Sequence, residues 1–203
     1  MLDYSHMFII AGLGNPEEEY KGTRHNTGRM MLDDFRARFK LADFESDKRV
    51  KTLISKDELS GEKIVLVEPD NYMNNSGGVL ASFVKTKKAA EKLIVVYDDL
   101  DLPIGSIRVS FNKSSGGHRG LESIIKALKT EAFMRIRVGI SPVTPGCKLK
   151  KPKGEDEVGK FILGSYKKTE QDILKKVSER VCNAILMIMK EGKEKAMGEF
   201  NRN

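Results

Sequence analysis

Residues Met7–Gly28, with the sequence MFIIAGLGNPEEEYKGTRHNTG, supply the first element of the fold and the first candidate site residues. Positions 7–11 are apolar and run directly into glycines, which is typical of a short buried strand. The polar segment after this strand contains Asn15 and His25. Because histidine takes up a proton near neutral pH, His25 is the residue around which a catalytic site is most easily built.

The glycines at the end of this strand are similar to the start of a dinucleotide-binding motif. In that motif a third glycine would follow Gly12 and Gly14 at position 17, where this chain has Glu17 after Pro16. A carboxylate there would repel a pyrophosphate, so the sequence argues against a dinucleotide site.

Predicted strands and helices alternate along the chain, which is typical of an α/β fold with a mainly parallel sheet. The apolar run 93–97 is the strongest strand prediction, and we expect it at the centre of the sheet, buried on both faces. Other patterns predict strands at 7–11, 50–59, 63–67, 107–111 and 135–140. Apolar periodicity predicts helices at 27–40, 79–84, 121–128 and 169–190. The last helix is expected to begin with a capping box formed by Thr169 and Asp172.

Positions 141–160 contain several prolines and glycines and few apolar residues, which predicts a long flexible loop. The chain shows no internal repeat and no low-complexity tract. We therefore expect a single domain over 1–203, with a core over about 7–190.

Composition narrows the class of protein. The 203 residues suffice for one full core, and no run of about 18 apolar residues could span a membrane. The N-terminus lacks a signal-peptide pattern, and Cys147 and Cys182 form no ligand cluster. These features predict a cytoplasmic protein with reduced thiols.

The net charge of +7 fits either a lysine-rich surface or a polyanionic partner such as a nucleic acid. Two groups of basic residues favour the second interpretation, because each is confined to a short part of the chain. The first group is Arg108, Lys113, Arg119, Arg135 and Arg137, and the second is Lys148, Lys150, Lys151 and Lys153.

Candidate polar side chains follow predicted strands or occupy a glycine-rich turn before a helix. They are Asn15, His25, Asn74, Asp98, His118 and Arg119. In open α/β sheets the carboxyl ends of strands share one edge, so these side chains are expected to converge on one site.

Each residue taken alone has a simpler explanation. Asn15 before Pro16 could only form a turn, Asn74 could cap a helix, Asp98 could be a surface acid, and His25 could be structural. No three ligands have metal-site spacing, and no G-x-S-x-G motif is present. The sequence therefore predicts neither a metal site nor a serine nucleophile.

Taken together, the motifs resemble bacterial-type peptidyl-tRNA hydrolase from about Phe8 to the C-terminal helix. The matching stretches are GLGNPEEEYKGTRHNTG (12–28), NYMNNSGG (71–78), YDDLDLPIG (97–105), SSGGHRGL (114–121) and RIRVGI (135–140). The resemblance implies a monomeric single domain around a mixed, mainly parallel twisted sheet flanked by helices, with no metal or cofactor. It implies hydrolysis of the ester between a peptide and the tRNA 3′ ribose, which recycles tRNA from stalled translation.

The resemblance also implies roles for individual residues. The catalytic histidine falls on His25 and its partner carboxylate on Asp98. Neutral His25 would take a proton from water, and ionised Asp98 would fix its tautomer. Further positions are implied to bind substrate: Asn15, Tyr20, Met73, Asn74, His118 and Arg119.

One position departs from the family, which usually has asparagine where this chain has Arg119. A guanidinium donates hydrogen bonds but accepts none, so Arg119 is expected at the rim of the site, holding substrate. The basic side chains expected to hold tRNA phosphates are Arg108, Lys113, Arg137, Lys148, Lys150 and Lys151.

A second hypothesis is an RNA-binding relative with this fold that acts in splicing or assembly without hydrolysis. The chain keeps four residues that only an enzyme needs together: His25, Asp98, Asn15 and Asn74. Their joint presence favours the enzyme.

Overall fold

The computed structural model describes residues 4–146 and 148–202, so the prediction made for Cys147 lies outside the described residues. Within them the chain forms one sheet of seven strands. The strands are β1 (Phe8–Gly12), β2 (Glu45–Asp47), β3 (Thr52–Leu59), β4 (Glu62–Pro69), β5 (Leu93–Pro103), β6 (Ile107–Phe111) and β7 (Met134–Ser141).

The sheet is mixed, with the strand order β2-β3-β4-β1-β5-β7-β6. The four central strands, from β4 to β7 in this order, run parallel, and antiparallel pairing adds the strands at both edges. The α/β class predicted from the alternating pattern is therefore confirmed. The parallel arrangement brings the carboxyl ends of β1, β4, β5 and β7 to one edge.

Helices cover both faces of the sheet. They are α1 (Thr27–Phe39), α2 (Ser76–Phe83), α3 (Lys87–Ala90), α4 (Arg119–Leu128), α5 (Glu155–Ile162), α6 (Lys168–Glu191) and α7 (Lys193–Phe200). None of these described helices combines the length and the apolar character needed to cross a membrane.

Alternate residues of the central strands point to opposite faces and form two apolar layers. Ile10 and Ile94 belong to the layer against α1 and α6, and Ile9 and Val95 to the layer against α2 and α4. All four side chains are at most 1% exposed. Burial of each contributes about 1.5–3 kcal/mol, so the two layers fix the strands that position the site.

Helix α1 begins close to the ends of β1 and β5 because position 28 is glycine. A Cβ atom on Gly28 would lie 2.3 Å from the carbonyl oxygen of Val96 and 2.4 Å from the amide nitrogen of Leu13. A larger residue would push α1 away from the sheet, because close-packed interiors leave no room for it. His25, three residues earlier, owes its approach to β5 to this contact.

Two sequence predictions of element boundaries are wrong. The strand at 93–97 continues to Pro103, so Asp98 lies within β5 instead of following it. The predicted loop at 141–160 ends at Gly154, because α5 occupies its second part. Acidic residues fill the first turn of α5, where they interact favourably with the helix dipole.

The long C-terminal helix is confirmed, but its predicted capping box is wrong. Helix α6 begins at Lys168, so Thr169 already lies inside it. Oε2 of Glu170 instead accepts a hydrogen bond from the Lys167 amide at 2.7 Å. This bond satisfies a backbone donor at the helix start, the task expected of Asp172 on Thr169.

Candidate active site

A one-turn 3₁₀ helix, Arg24–Asn26, holds His25 in front of α1. Arg24 anchors this turn, since its backbone amide and its Nη1 donate to the Gly164 carbonyl at 3.1 and 3.0 Å. Its Nη2 also donates to Oε2 of Glu170 at 2.9 Å. The turn is thus tied to the start of α6, and His25 is buried at 8% exposure.

The imidazole of His25 faces the carboxylate of Asp98 on β5. Nδ1 lies 3.1 Å from Oδ1 and 3.2 Å from Oδ2, so it donates its proton to this carboxylate. Nε2 of His25 is then the unprotonated nitrogen, and it makes no hydrogen bond to a described residue. An unprotonated nitrogen of this kind can accept a proton from water.

A second histidine donates to the same carboxylate. Nε2 of His118 lies 3.2 Å from Oδ1 of Asp98, and Nδ1 accepts a hydrogen bond from the Leu121 amide at 3.3 Å. The amide at the start of α4 thereby fixes the tautomer with the proton on Nε2. The structure places His118 in the cleft wall, hydrogen-bonded to Asp98, and its predicted role in substrate binding stays a prediction.

These contacts shift the pKa values of both members of the His25–Asp98 pair. Burial lowers the pKa of His25, but the Asp98 charge and hydrogen bond raise it more, and the pKa ends above its usual 6.5. Burial raises the pKa of Asp98, but His25 and His118 outweigh it, and the pKa falls below its usual range. Asp98 is therefore ionised at neutral pH, as an orienting carboxylate must be.

Asn15 has more contacts than a residue that only forms a turn. Its Oδ1 accepts a hydrogen bond from the Met73 amide at 2.9 Å, which joins the loops after β1 and β4. The Asn26 side chain holds the Asn15 backbone, accepting from its amide at 2.8 Å and donating to its carbonyl at 3.0 Å. Nδ2 of Asn15 makes no hydrogen bond to a described residue, so it is available as a donor in the cleft.

The loop after β4 places Met73 and Asn74 in a second 3₁₀ turn, Met73–Asn75. Met73 is 4% exposed and forms part of the site wall, whereas Asn74 is exposed and also lines the cleft. The residue at the N-cap of α2 is Asn75, so Asn74 does not cap that helix. The side-chain amide of Asn74 makes no hydrogen bond to a residue that the structure describes, so it can bind a ligand.

A cleft of about 1310 Å³ contains these groups. Tyr72, at 50% exposure, lines it, and its hydroxyl donates to Oε1 of Glu17 at 3.1 Å. Tyr20 is not among the lining residues, and its implied role in substrate binding stays a prediction. Tyr72 lies within the NYMNNSGG motif, where the sequence analysis gave it no role.

The cleft wall also contains a buried cation, Arg135, for which the sequence predicts only membership of a basic group. Arg135 is 1% exposed, stacks on Phe133 at 4.5 Å, and donates through Nη1 to the Ser114 carbonyl at 2.7 Å. Its Nε has no partner among the described residues, and neither has Oγ of the neighbouring Ser110. The alternation of basic and apolar residues along β7 was the available signal.

Arg119 occupies the rim, as its place before a helix predicted. It is the first residue of α4, its side chain is 67% exposed, and it pairs with Glu155 at the start of α5. Both residues line the cleft and are largely exposed, so this ion pair lies at its edge.

The predicted phosphate-binding set divides into two groups. Lys113, Arg137 and Lys151 line the cleft, while Arg108, Lys148 and Lys150 do not. Two of the lining residues are paired with acids of β5: Arg137 with Asp99 at 2.6 Å and Lys151 with Asp101 at 2.5 Å.

Outside the cleft, Nη1 of Arg108 donates to the Asn201 carbonyl at 2.6 Å. A phosphate role for the set stays a prediction.

Three potential metal ligands meet at the centre of the site. The ligand atoms of His25, Asp98 and His118 lie within 4.8 Å of one another, a grouping that sequence spacing could not reveal. Both histidine nitrogens that face the carboxylate carry protons, and the Leu121 amide holds His118 in that tautomer. A cation would need lone pairs at these nitrogens, so the donor set fits a hydrogen-bonded triad better than a metal centre.

Comparisons with known proteins agree on one family. A family model described as Peptidyl-tRNA hydrolase matches residues 9–203. The peptidyl-tRNA hydrolase of Caldanaerobacter subterraneus subsp. tengcongensis is 42% identical, covering 96% of this chain and 100% of that protein. The one from Aquifex aeolicus is 36% identical, covering 96% of each.

Solved structures agree with this result. The crystal structure of peptidyl-tRNA hydrolase from Acinetobacter baumannii has a TM-score of 0.85 and 26% sequence identity to this chain. The match covers 97% of this chain and 95% of that one.

Proposed function

The chain belongs to the peptidyl-tRNA hydrolase family, and from this membership we propose that it hydrolyses the ester between a peptide and the 3′ ribose of tRNA. The observation that carries the proposal is the His25–Asp98 pair, with Nδ1 of His25 bound to the carboxylate and Nε2 left unprotonated. A hydrolase needs such a base beside a cleft large enough for the end of a tRNA and a peptide.

The reaction follows from the positions of these groups. Nε2 of His25 takes a proton from water, and the hydroxide oxygen adds to the ester carbonyl carbon. Asp98, held by His118, stabilises the imidazolium that forms. The ester bond to the ribose oxygen then breaks, and the imidazolium returns its proton to that oxygen. The products are a tRNA with a free ribose hydroxyl and a peptide carboxylic acid, which releases its proton to solvent at neutral pH.

In the proposed reaction, two side-chain amides bind the substrate. Asn74 is exposed in the cleft and donates to the developing oxyanion. Asn15 has Oδ1 bound to the Met73 amide, so it presents Nδ2 as a donor to a carbonyl of the peptide. Such a contact lies on the peptide side of the ester and contributes to recognition of a peptidyl group.

The tRNA is expected to lie along the basic wall of the cleft. Arg135 supplies a buried positive charge there, and Lys113 and Arg137 supply more exposed ones. Phosphate contacts of this kind set affinity and position and do not read sequence. One chain supplies every group of this site, so we further propose that the protein acts as a monomer. We also propose that it acts in the cytoplasm, because its substrate is made there.

The decisive experiment incubates the protein with N-acetyl-aminoacyl-tRNA and follows release of free tRNA. We expect release from the acetylated substrate and much slower release from aminoacyl-tRNA with a free, charged amine. An RNA-binding protein without hydrolytic activity would retain the tRNA and release none. That result would overturn the proposed function.

A further inference from the structure

An ion pair lies beneath the substrate side of the site, outside the cleft. Nε of Arg29, in the first turn of α1, donates to Oε2 of Glu68 on β4 at 3.1 Å. The side chains are 12% and 4% exposed, and neither residue lines the cleft. The pair therefore has no access to substrate, and its effect on the site must pass through a neighbour.

The neighbour is Asn15. Nη1 of Arg29 donates to the Asn15 carbonyl at 3.0 Å, and the Arg29 side chain packs over Gly14. A Cβ atom on Gly14 would lie 2.6 Å from Cδ of Arg29, so only glycine leaves room for this approach. The guanidinium thus spans two partners, the Glu68 carboxylate and the backbone of Asn15.

Stability gives no good reason for this arrangement. Oε1 of Glu68 is buried without a hydrogen bond among the described residues. Burial raises the pKa of Glu68 to about 7, although the charges of Arg29 and Arg36 oppose the shift and Asp33 adds to it. Buried ion pairs often stabilise a protein less than apolar residues of the same size, so this pair calls for another explanation.

We propose that Arg29, oriented by Glu68, is a positioning residue that fixes the backbone of Asn15 and so aims Nδ2 of Asn15 at the substrate peptide. This inference rests on the proposed function. The Met73 amide holds the Asn15 side chain, and the Asn26 side chain binds the Asn15 backbone at both its amide and its carbonyl. Arg29 is the second donor to that carbonyl, and among the described residues it alone connects Asn15 to the Glu68 carboxylate on β4. The planar guanidinium of Arg29 donates to Glu68 and to the Asn15 carbonyl at the same time, and a lysine ammonium cannot reproduce this geometry.

The test measures KM and kcat for Arg29→Lys and Arg29→Met with N-acetyl-aminoacyl-tRNA. We expect each to raise KM about two- to tenfold, the range of one lost hydrogen bond, with little change in kcat. Arg29→Lys keeps a positive charge against Glu68 and keeps the test valid if Arg29→Met does not fold. The matched control is Arg38→Met, because Arg38 lies on the same helix as Arg29 and forms an exposed ion pair with Glu179 of α6. This variant should leave KM unchanged.

The same substitutions in an Asn15→Ala background separate positioning from general destabilisation. Once Nδ2 is gone its aim no longer matters, so Arg29→Lys should add less than a twofold change in KM there. Equal effects in both backgrounds, or no effect in the wild-type background, would overturn the role of Arg29 alone. A wild-type protein that releases no tRNA would overturn the proposed function and this role with it.

Discussion

The floor and the rim of the cleft hold their charges in opposite ways. The floor consists of His25, Asp98 and His118, whose side chains are at most 11% exposed and share one carboxylate. The rim consists of two ion pairs whose side chains are all at least 51% exposed: Arg119 with Glu155, and Lys151 with Asp101. The Arg137–Asp99 pair in the cleft wall is intermediate, because its acid is only 11% exposed.

The difference in exposure between floor and rim determines which charged side chains can exchange their partners. Buried, hydrogen-bonded charges keep their partners, because separating them leaves an unpaired charge in a low-dielectric site. Exposed ion pairs contribute only about 0–1 kcal/mol each, so a phosphate can replace the acid at little cost. The floor is therefore built for one reaction geometry, and the rim is built to exchange its acids for an incoming polyanion.

The largest effect is expected at the floor, from His25→Ala. Loss of a positioned general base should lower kcat about 10²- to 10⁴-fold, while tRNA binding stays close to wild type. The melting temperature should fall, because buried Asp98 loses one of its two histidine partners, but His118 remains and the variant should fold. Turnover of N-acetyl-aminoacyl-tRNA, a tRNA-binding assay and a thermal unfolding curve measure the three quantities. The control is His6→Ala, because His6 is an exposed histidine far from the site. Near wild-type turnover in folded His25→Ala would remove the histidine from the mechanism.

A smaller effect is expected from Asp98→Asn, which keeps the shape of the floor and removes its charge. In the wild type, His25 must be neutral to act, so kcat/KM should fall as pH drops through a pKa that lies above 6.5. In Asp98→Asn the negative charge that raises the pKa of His25 is lost, while burial still lowers this pKa. The acid limb should therefore move to lower pH while the maximal rate decreases.

A pH–rate profile measures this shift. Asp99→Asn, which changes the adjacent acid, should leave the limb in place. An unmoved limb in Asp98→Asn would mean that Asp98 does not control the proton on His25.

The smallest effects are expected at the cleft wall and rim. Lys113→Ala and Arg137→Ala should each flatten the slope of log affinity for tRNA against log salt by about 0.7–0.9, the value of one released counterion. Turnover at saturating substrate should change little. Lys176→Ala, on the exposed face of α6, is the control and should leave the slope unchanged. Unchanged slopes for both variants would place the tRNA on another face.

The convergence of four central side chains could be predicted, because each of them belongs to a long, distinctive sequence motif. His25, Asp98, Asn15 and Asn74 each lie in a distinctive stretch, and the structure gathers all four in one cleft. The role of His118 at Asp98 could not be predicted, since it depends on where α4 begins relative to β5. Short-range sequence patterns carry no information about such contacts between distant elements.

The same reason explains the other differences. Arg29 and Glu68 are 39 positions apart and look like ordinary surface charges in the sequence, yet the fold buries them together. The sequence predicts a loop where α5 forms, because prolines and glycines precede this helix and its own apolar residues are few. The rim pairs could not be foreseen either, because ion pairing depends on which loops face each other across the cleft.

The parallel order of the central strands affects when the catalytic pair forms during folding. His25 and Asp98 are 73 residues apart, and the pairing of β1 with β5 that brings them together is non-local. Such pairings form slowly, because closing a long loop costs conformational entropy before the two strands gain any stabilising contact. A chain still in synthesis has no catalytic pair until β5 has emerged and found β1. Activity during refolding should therefore appear with the last cooperative phase, with no active intermediate before it.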